Sequence, residues 1–198
     1  MLHRVAHRGY STVAPENTLP AFDAALRAGA TFVEFDVRVT RDGVPVVIHD
    51  RTVNRTTSGA GRVWDLTHAE IAALDAGSWF GAGFTGLRVP TLAETLDLLA
   101  AGSAELLVEI KPPATLDEVK TIVAQLAERD LLGRSVVQSF DADVIRKVRG
   151  LAPDVRIGLL LFRFDAETVE ACRELGVAYC NPDLEDVLGH PETMAGLA

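Results

Sequence analysis

Four short runs carry the residues best suited to chemistry: His7-Arg8-Gly9, Glu34-Phe35-Asp36, His49-Asp50 and Glu109-Ile110-Lys111. Each lies at or near the end of a short apolar stretch. Glu34 and Asp36 are two residues apart, which puts both carboxylates on one face of a strand. With Glu109 from another strand they gather three acids, and inward-facing carboxylates repel one another and lose hydration unless a cation joins them. A divalent metal answers that need, and all-oxygen ligation favours Mg2+ or Ca2+ over zinc. The competing reading is a structural network in which these acids pair with Arg8, Arg38 and Lys111. Two histidines on the same rim, His7 and His49, weigh against it. An imidazole that titrates near ~6.5 suits proton transfer at neutral pH, so these two are the expected acid and base. Arg8 offers a fork for phosphate oxygens, Lys111 a point charge, and Gly9 a close backbone approach. His3, His68 and His190 stand alone and are given no role.

The elements that must position these groups alternate between short apolar strands and amphipathic helices, the pattern of a parallel α/β sheet. Strands are expected at residues 2–7, 32–39, 45–49, 106–111, 135–139, 156–161 and 177–181. Three segments beginning at Thr67, Thr91 and Thr115 carry Glu three residues later, the capping-box signature of a helix start. Leu19, Phe22 and Leu26 fall on one face of a first helix that Gly29 is placed to end, and Val119, Ile122, Val123 and Leu126 do the same in a later one. Asp141 and Asp165 are expected N-caps. A glycine-rich stretch over residues 51–90, with a short helix near 67–74, reads as a long excursion after the third strand. The ionisable runs then sit at the carboxyl ends of four successive parallel strands, where barrel enzymes place their chemistry. Seven βα units can be counted in one domain spanning residues 1–198, the last helix at 191–198, whereas a closed barrel has eight.

Composition narrows the function classes. Charged residues make up 24% and apolar ones 48%, as in an ordinary globular protein, but the net charge is −9. That balance argues against nucleic acid, whose phosphates are bound by clustered Lys and Arg. A phosphorylated substrate needs a local cationic site or a metal. Cys172 and Cys180 are too few for a disulfide framework and are read as core residues. No apolar run reaches the ~20 residues of a membrane span, and the first residues read as a strand rather than a leader. A cytoplasmic protein without stable membrane insertion is the expectation.

Taken in order, the runs His7-Arg8-Gly9, Pro15-Glu16-Asn17-Thr18, Glu34-Phe35-Asp36-Val37, His49-Asp50, Arg55-Thr56-Thr57-Ser58-Gly59, Pro90-Thr91-Leu92 and Glu109-Ile110-Lys111 resemble the glycerophosphodiester phosphodiesterases. The resemblance covers residues 3 to 182 and implies a TIM-type barrel that cleaves glycerophosphodiesters to glycerol 3-phosphate and an alcohol. It implies Glu34, Asp36 and Glu109 as metal ligands, His7 and His49 as the acid–base pair, and Arg8 and Lys111 as phosphate holders. Glu16 would line the same site, and Asn17 is read as a helix cap. The family's eighth strand, with a Trp-Thr-Val-Asn-like run, is not found in this sequence. The expectation is therefore a barrel lacking its eighth strand and helix, inclined to self-associate through the open seam. Two other readings stand beside it. One is a phospholipase D-like enzyme or lyase acting on lysophospholipid or sphingolipid head groups, with Trp64, Trp79, Phe80 and Phe84 at an apolar entrance. The other is a non-catalytic phosphate-binding remnant.

Overall fold

Valines and leucines with phenylalanine build a parallel sheet that curls into part of a barrel. In this computed structural model residues 3–182 and 184–189 are described. Six parallel strands form the path: β1 (Val5–Ala6), β2 (Phe32–Val39), β4 (Glu105–Ile110), β5 (Ser135–Ser139), β6 (Arg156–Leu161) and β7 (Tyr179–Pro182). Helices α1 (Leu19–Arg27), α3 (Leu92–Ala100), α4 (Leu116–Glu128), α5 (Ala142–Leu151) and α6 (Ala166–Leu175) connect them, and α7 (Leu184–Gly189) follows β7. The helix expected at 191–198 lies outside the described residues. Strand β3 (Pro45–Val47) and helix α2 (His68–Ala72) belong to the excursion.

β3 departs from expectation. It pairs with β2 antiparallel, Val37 opposite Val47, and lies off the parallel path. A parallel return needs a crossover of a dozen or more residues. Only residues 40–44 separate β2 from β3. They close a tight turn in which the Thr40 hydroxyl donates to Asp42 at 2.6 Å and Gly43 takes φ 81°. The described residues thus hold six parallel strands, and the excursion begins at this hairpin instead of at residue 51.

β2 shows how the sequence divides the layers. All eight of its residues are buried, yet Val33, Phe35, Val37 and Val39 alternate with Glu34, Asp36 and Arg38. The apolar set joins Leu106, Val108 and Ile110 of β4 in the main core beneath the helices. The polar set therefore faces the barrel interior. A second, smaller core lies within the excursion, formed by Val46, Ile48, Val53, Val63, Ile71, Ala76 and Val89. The three Thr-to-Glu capping boxes form as expected, and Asp141 and Asp165 cap α5 and α6. Gly29, at φ 70°, follows the end of α1. Cys172 is buried but Cys180 is only half-buried, and neither is bonded.

Candidate active site

Asp36 and Glu109 are direct register partners on adjacent strands, β2 and β4. Like charges placed opposite each other in a sheet destabilise it unless a cation intervenes. Lys111 supplies one: its Nζ lies 2.9 Å from Asp36 Oδ1 and 2.5 Å from Glu109 Oε1. Glu34, two residues before Asp36 on the same inward face, completes the group. One oxygen from each of the three carboxylates lies within 4.8 Å of the others, and all three residues are buried. Three carboxylates outnumber the cations that face them, the Lys111 ammonium and an Arg8 guanidinium shared with Glu16, and leave the cluster net negative. That balance and the oxygen-only donor set fit a divalent cation.

The electrostatics agree. Burial and the charge of Asp36 push the carboxyls of Glu34 and Glu109 upward. Burial opposes ionisation of Asp36 as well, but Lys111 and the Asn17 amide outweigh it and hold that carboxyl below its usual range. Asp36 is the fixed anion of the cluster.

The turn after β1 presents the next groups. Arg8 sits at φ 58° and Gly9 at φ 77°. A Cβ on Gly9 would come within 2.8 Å of the Ala21 backbone, so the turn can press against α1 only with glycine there. The twist aims the Arg8 backbone N–H at Glu34 Oε2, at 2.8 Å, and sets the Arg8 Nε 3.6 Å from Asp36 Oδ2. His7 reaches to 3.9 Å from Glu34, with its side chain 67% exposed. Partial desolvation and the neighbouring Arg8 charge both lower its pKa.

His49 and Asp50 arrive from the excursion. His49 Nδ1 is 2.8 Å from Asp50 Oδ1, a contact that orients the ring. Arg55 then binds two carboxylates at once. It donates to both oxygens of Asp50 at 2.7 and 2.9 Å and to both of Glu16 at 2.8 Å. Glu16 also accepts from Arg8 at 2.9 Å. A continuous chain of ion pairs, Arg8–Glu16–Arg55–Asp50–His49, thus joins the two histidine-bearing loops. Hydrogen bonds from Arg55 hold Asp50 far below the usual carboxylate range, and those from Arg55 and Arg8 overcome burial to lower Glu16.

A model of the Glycerophosphoryl diester phosphodiesterase family matches residues 7–187. The chain belongs to this family. A glycerophosphodiester phosphodiesterase of Caldanaerobacter subterraneus is 45% identical over 159 residues, 79% of this chain and 65% of that protein. One from Bacillus subtilis is 38% identical over 166 residues, 76% of this chain and 56% of that protein. The chain thus spans about 56–65% of the length of these curated relatives. Among solved structures, an Oleispira antarctica phosphodiesterase in complex with the product sn-glycerol-3-phosphate superposes with a TM-score of 0.90 at 30% identity, covering 99% of this chain and 81% of that one. A Silicibacter pomeroyi protein gives 0.88 at 32% identity, covering 100% and 79%.

Within this member of the glycerophosphoryl diester phosphodiesterase family, all eight residues singled out from the sequence face the same region. Three others were missed. Asn17 is no helix cap; Thr18 holds that position in α1. Asn17 is buried at φ 56°, donates to Asp36 Oδ2 at 2.7 Å and accepts from the Asp36 backbone N–H at 3.3 Å. Asp50 and Arg55 stand in the motif runs without a role of their own, although an acid directly after a histidine and an arginine five residues on are a readable orienting pair. Among the described residues Arg38 forms no ion pair with Glu34, Asp36 or Glu109. It donates to the backbone carbonyls of His49 and Pro112 at 2.9 and 3.4 Å and so braces the excursion against β4. Trp79, Phe80 and Phe84 pack edge to face on one another within the excursion.

Proposed function

We propose that this chain hydrolyses glycerophosphodiesters to glycerol 3-phosphate and an alcohol, with a divalent metal, Mg2+ or Ca2+, held by Glu34, Asp36 and Glu109. The observation that carries the reading is the buried carboxylate cluster, net negative even with its cationic neighbours, on a chain that superposes on a phosphodiesterase holding glycerol 3-phosphate. A bound divalent cation polarises phosphate oxygens and acidifies a hydroxyl beside it. The chain supplies the rest. Arg8 and Lys111 turn their cationic ends to the same cluster and would hold the phosphate oxygens the carboxylates repel. Glu16 fixes Arg8 from behind. One of His7 and His49 removes the proton of the attacking hydroxyl, and the other returns a proton to the leaving alcohol oxygen. Asp50 keeps the His49 ring aimed by holding Nδ1. Among the described residues no helix is long and apolar enough to cross a membrane. Burial pushes the Cys172 thiol up to about 12, as for a cysteine packed in the core, and a cytoplasmic location is part of the proposed reading.

The test is a coupled assay for released glycerol 3-phosphate across several glycerophosphodiesters. Turnover that vanishes in EDTA, returns with Mg2+ or Ca2+, and is absent from Glu34→Ala, Asp36→Ala and Glu109→Ala is the expected result. Full activity in excess chelator would overturn the metal assignment.

A further inference from the structure

Arg38 is the third polar residue on the inward face of β2, two positions beyond Asp36, and it is buried. A buried guanidinium ordinarily has a carboxylate beside it, because an uncompensated charge away from water is costly. Arg38 instead directs its donors to main chain: Nε donates to the His49 carbonyl at 2.9 Å and Nη1 to the Pro112 carbonyl at 3.4 Å. Both carbonyls belong to segments that carry site residues. His49 is one of the two histidines, and Pro112 directly follows Lys111. The backbone of each segment is tied to β2 as well. Ile48 N–H donates to the Asp36 carbonyl at 2.9 Å, and Lys111 N–H to the Val37 carbonyl at 3.0 Å. Beyond those bonds, one side chain bridges the two segments.

We infer that Arg38 is a positioning residue: through these two carbonyls it fixes where His49 stands relative to Lys111, and so relative to a phosphate held there. The inference rests on the proposed hydrolysis, in which His49 moves a proton. Asp50 contacts Nδ1 of His49 and sets the rotation of the ring, but it comes from the same segment and does not place that segment on the barrel. Arg38 supplies that constraint from β2. The constraint matters because His49 arrives from the excursion, whose core is separate from the one under β2 and β4. A misplacement of about 1 Å can cost about 10²-fold in rate. A lysine would not serve, since a planar fork holds two acceptors at a set angle and an ammonium on a flexible stem does not. Arg38 also lines a cavity of about 320 Å³, with Trp64, Lys111, Pro113 and Lys147 among others, so a small cation can reach the place its side chain fills.

Two measurements test this. The first follows glycerophosphodiester turnover well below the melting temperature. Arg38→Ala and Arg38→Lys are each expected to lower kcat about ten- to a hundred-fold with KM changed by less than about threefold. Millimolar guanidinium is expected to restore part of the lost kcat in Arg38→Ala, and methylammonium to restore none. A kcat within about threefold of the parent in either variant, or equal rescue by the two cations, overturns the inference. The second measurement reads the ring itself, in protein carrying 13C-labelled histidine. In Arg38→Lys the His49 Cε1–H signal is expected to shift or broaden while that of His7 stays in place. An unchanged His49 signal overturns the inference whether or not the chain turns over any diester. A lower melting temperature with the His49 signal and kcat unaltered also overturns it, since that is what a brace alone would give. Absence of turnover by the parent on every diester counts against the proposed hydrolysis, and the His49 signal then decides the inference by itself.

Discussion

Asp36 is the point on which the site's charges converge. Lys111, Arg8 and Asn17 all address its carboxylate, and its partner across the sheet is another acid. The histidines stand at the margin of this cluster and carry little structural weight, so their removal should report on chemistry. His7→Ala and His49→Ala are each expected to lower kcat by about 10²-fold or more with an unchanged melting temperature, since proton transfer is typically worth 10²–10⁴. A near-normal kcat in either variant removes that residue from the acid–base pair. Arg55 has the opposite character. Because it lowers the carboxyls of Asp50 and Glu16, these groups bind fewer protons folded than unfolded. Their stabilisation is complete above the unfolded values of about 3.9 and 4.3 and drains away as pH falls below them. Arg55→Leu should therefore be less stable at neutral pH and lose less on acidification, a flatter acid limb in urea melts run from pH 6 to pH 2. An unchanged acid limb would refute this. Residue types and spacing made the acids and histidines legible because strand parity puts Glu34 and Asp36 on one face. Asn17 was not legible: its role depends on a positive φ and on α1 lying against β2, neither of which local sequence states.

Helix starts were readable because a capping box is a local event. Thr115 accepts from the Glu118 N–H at 3.3 Å while Glu118 returns to the Thr115 N–H at 2.6 Å. Thr115→Ala should cost about 1 kcal/mol, seen as a lower urea midpoint without change in slope. A midpoint equal to the parent would mean the cap is replaced by solvent. Strand positions were also readable, but strand direction was misjudged at β3. The five residues between β2 and β3 carried the answer, since Arg41-Asp42-Gly43 can turn a hairpin and cannot make a crossover. Apolar runs alone imply one parallel strand more than the connection lengths allow. The same miscount placed the excursion's start too late and assigned His49 to the barrel wall.

At the scale of the molecule, the sheet ends at β1 on one side and β7 on the other, and neither outer edge is paired among the described residues. Beside β1 runs a cavity of about 440 Å³ lined by Val5, Ala6, His7, Tyr10, Ala25 and Ala28 among others. Val5 is 52% exposed and Tyr179 on β7 39%. Unpaired backbone groups with apolar neighbours are a template for another strand. A chain of these 198 residues is expected to self-associate with rising concentration in light scattering, and Val5→Lys to suppress it. A monomer at all concentrations would show that the edges are adequately protected. The hairpin at β3 has a consequence of a different kind. The excursion it opens has its own core, is sewn to the barrel by Arg38 and by the Arg55 ion pairs, and carries His49 and Asp50, while Glu34, Asp36 and Glu109 ride on the central strands. Such a piece can open by itself. Amide exchange is expected to release Val53, Val63 and Ile71 together, at a lower free energy than Val33, Phe35 and Val108, and one uniform rate across both sets would refute it. His49 and Asp50 would then come and go in an intact barrel, with His7 and the carboxylate cluster still assembled.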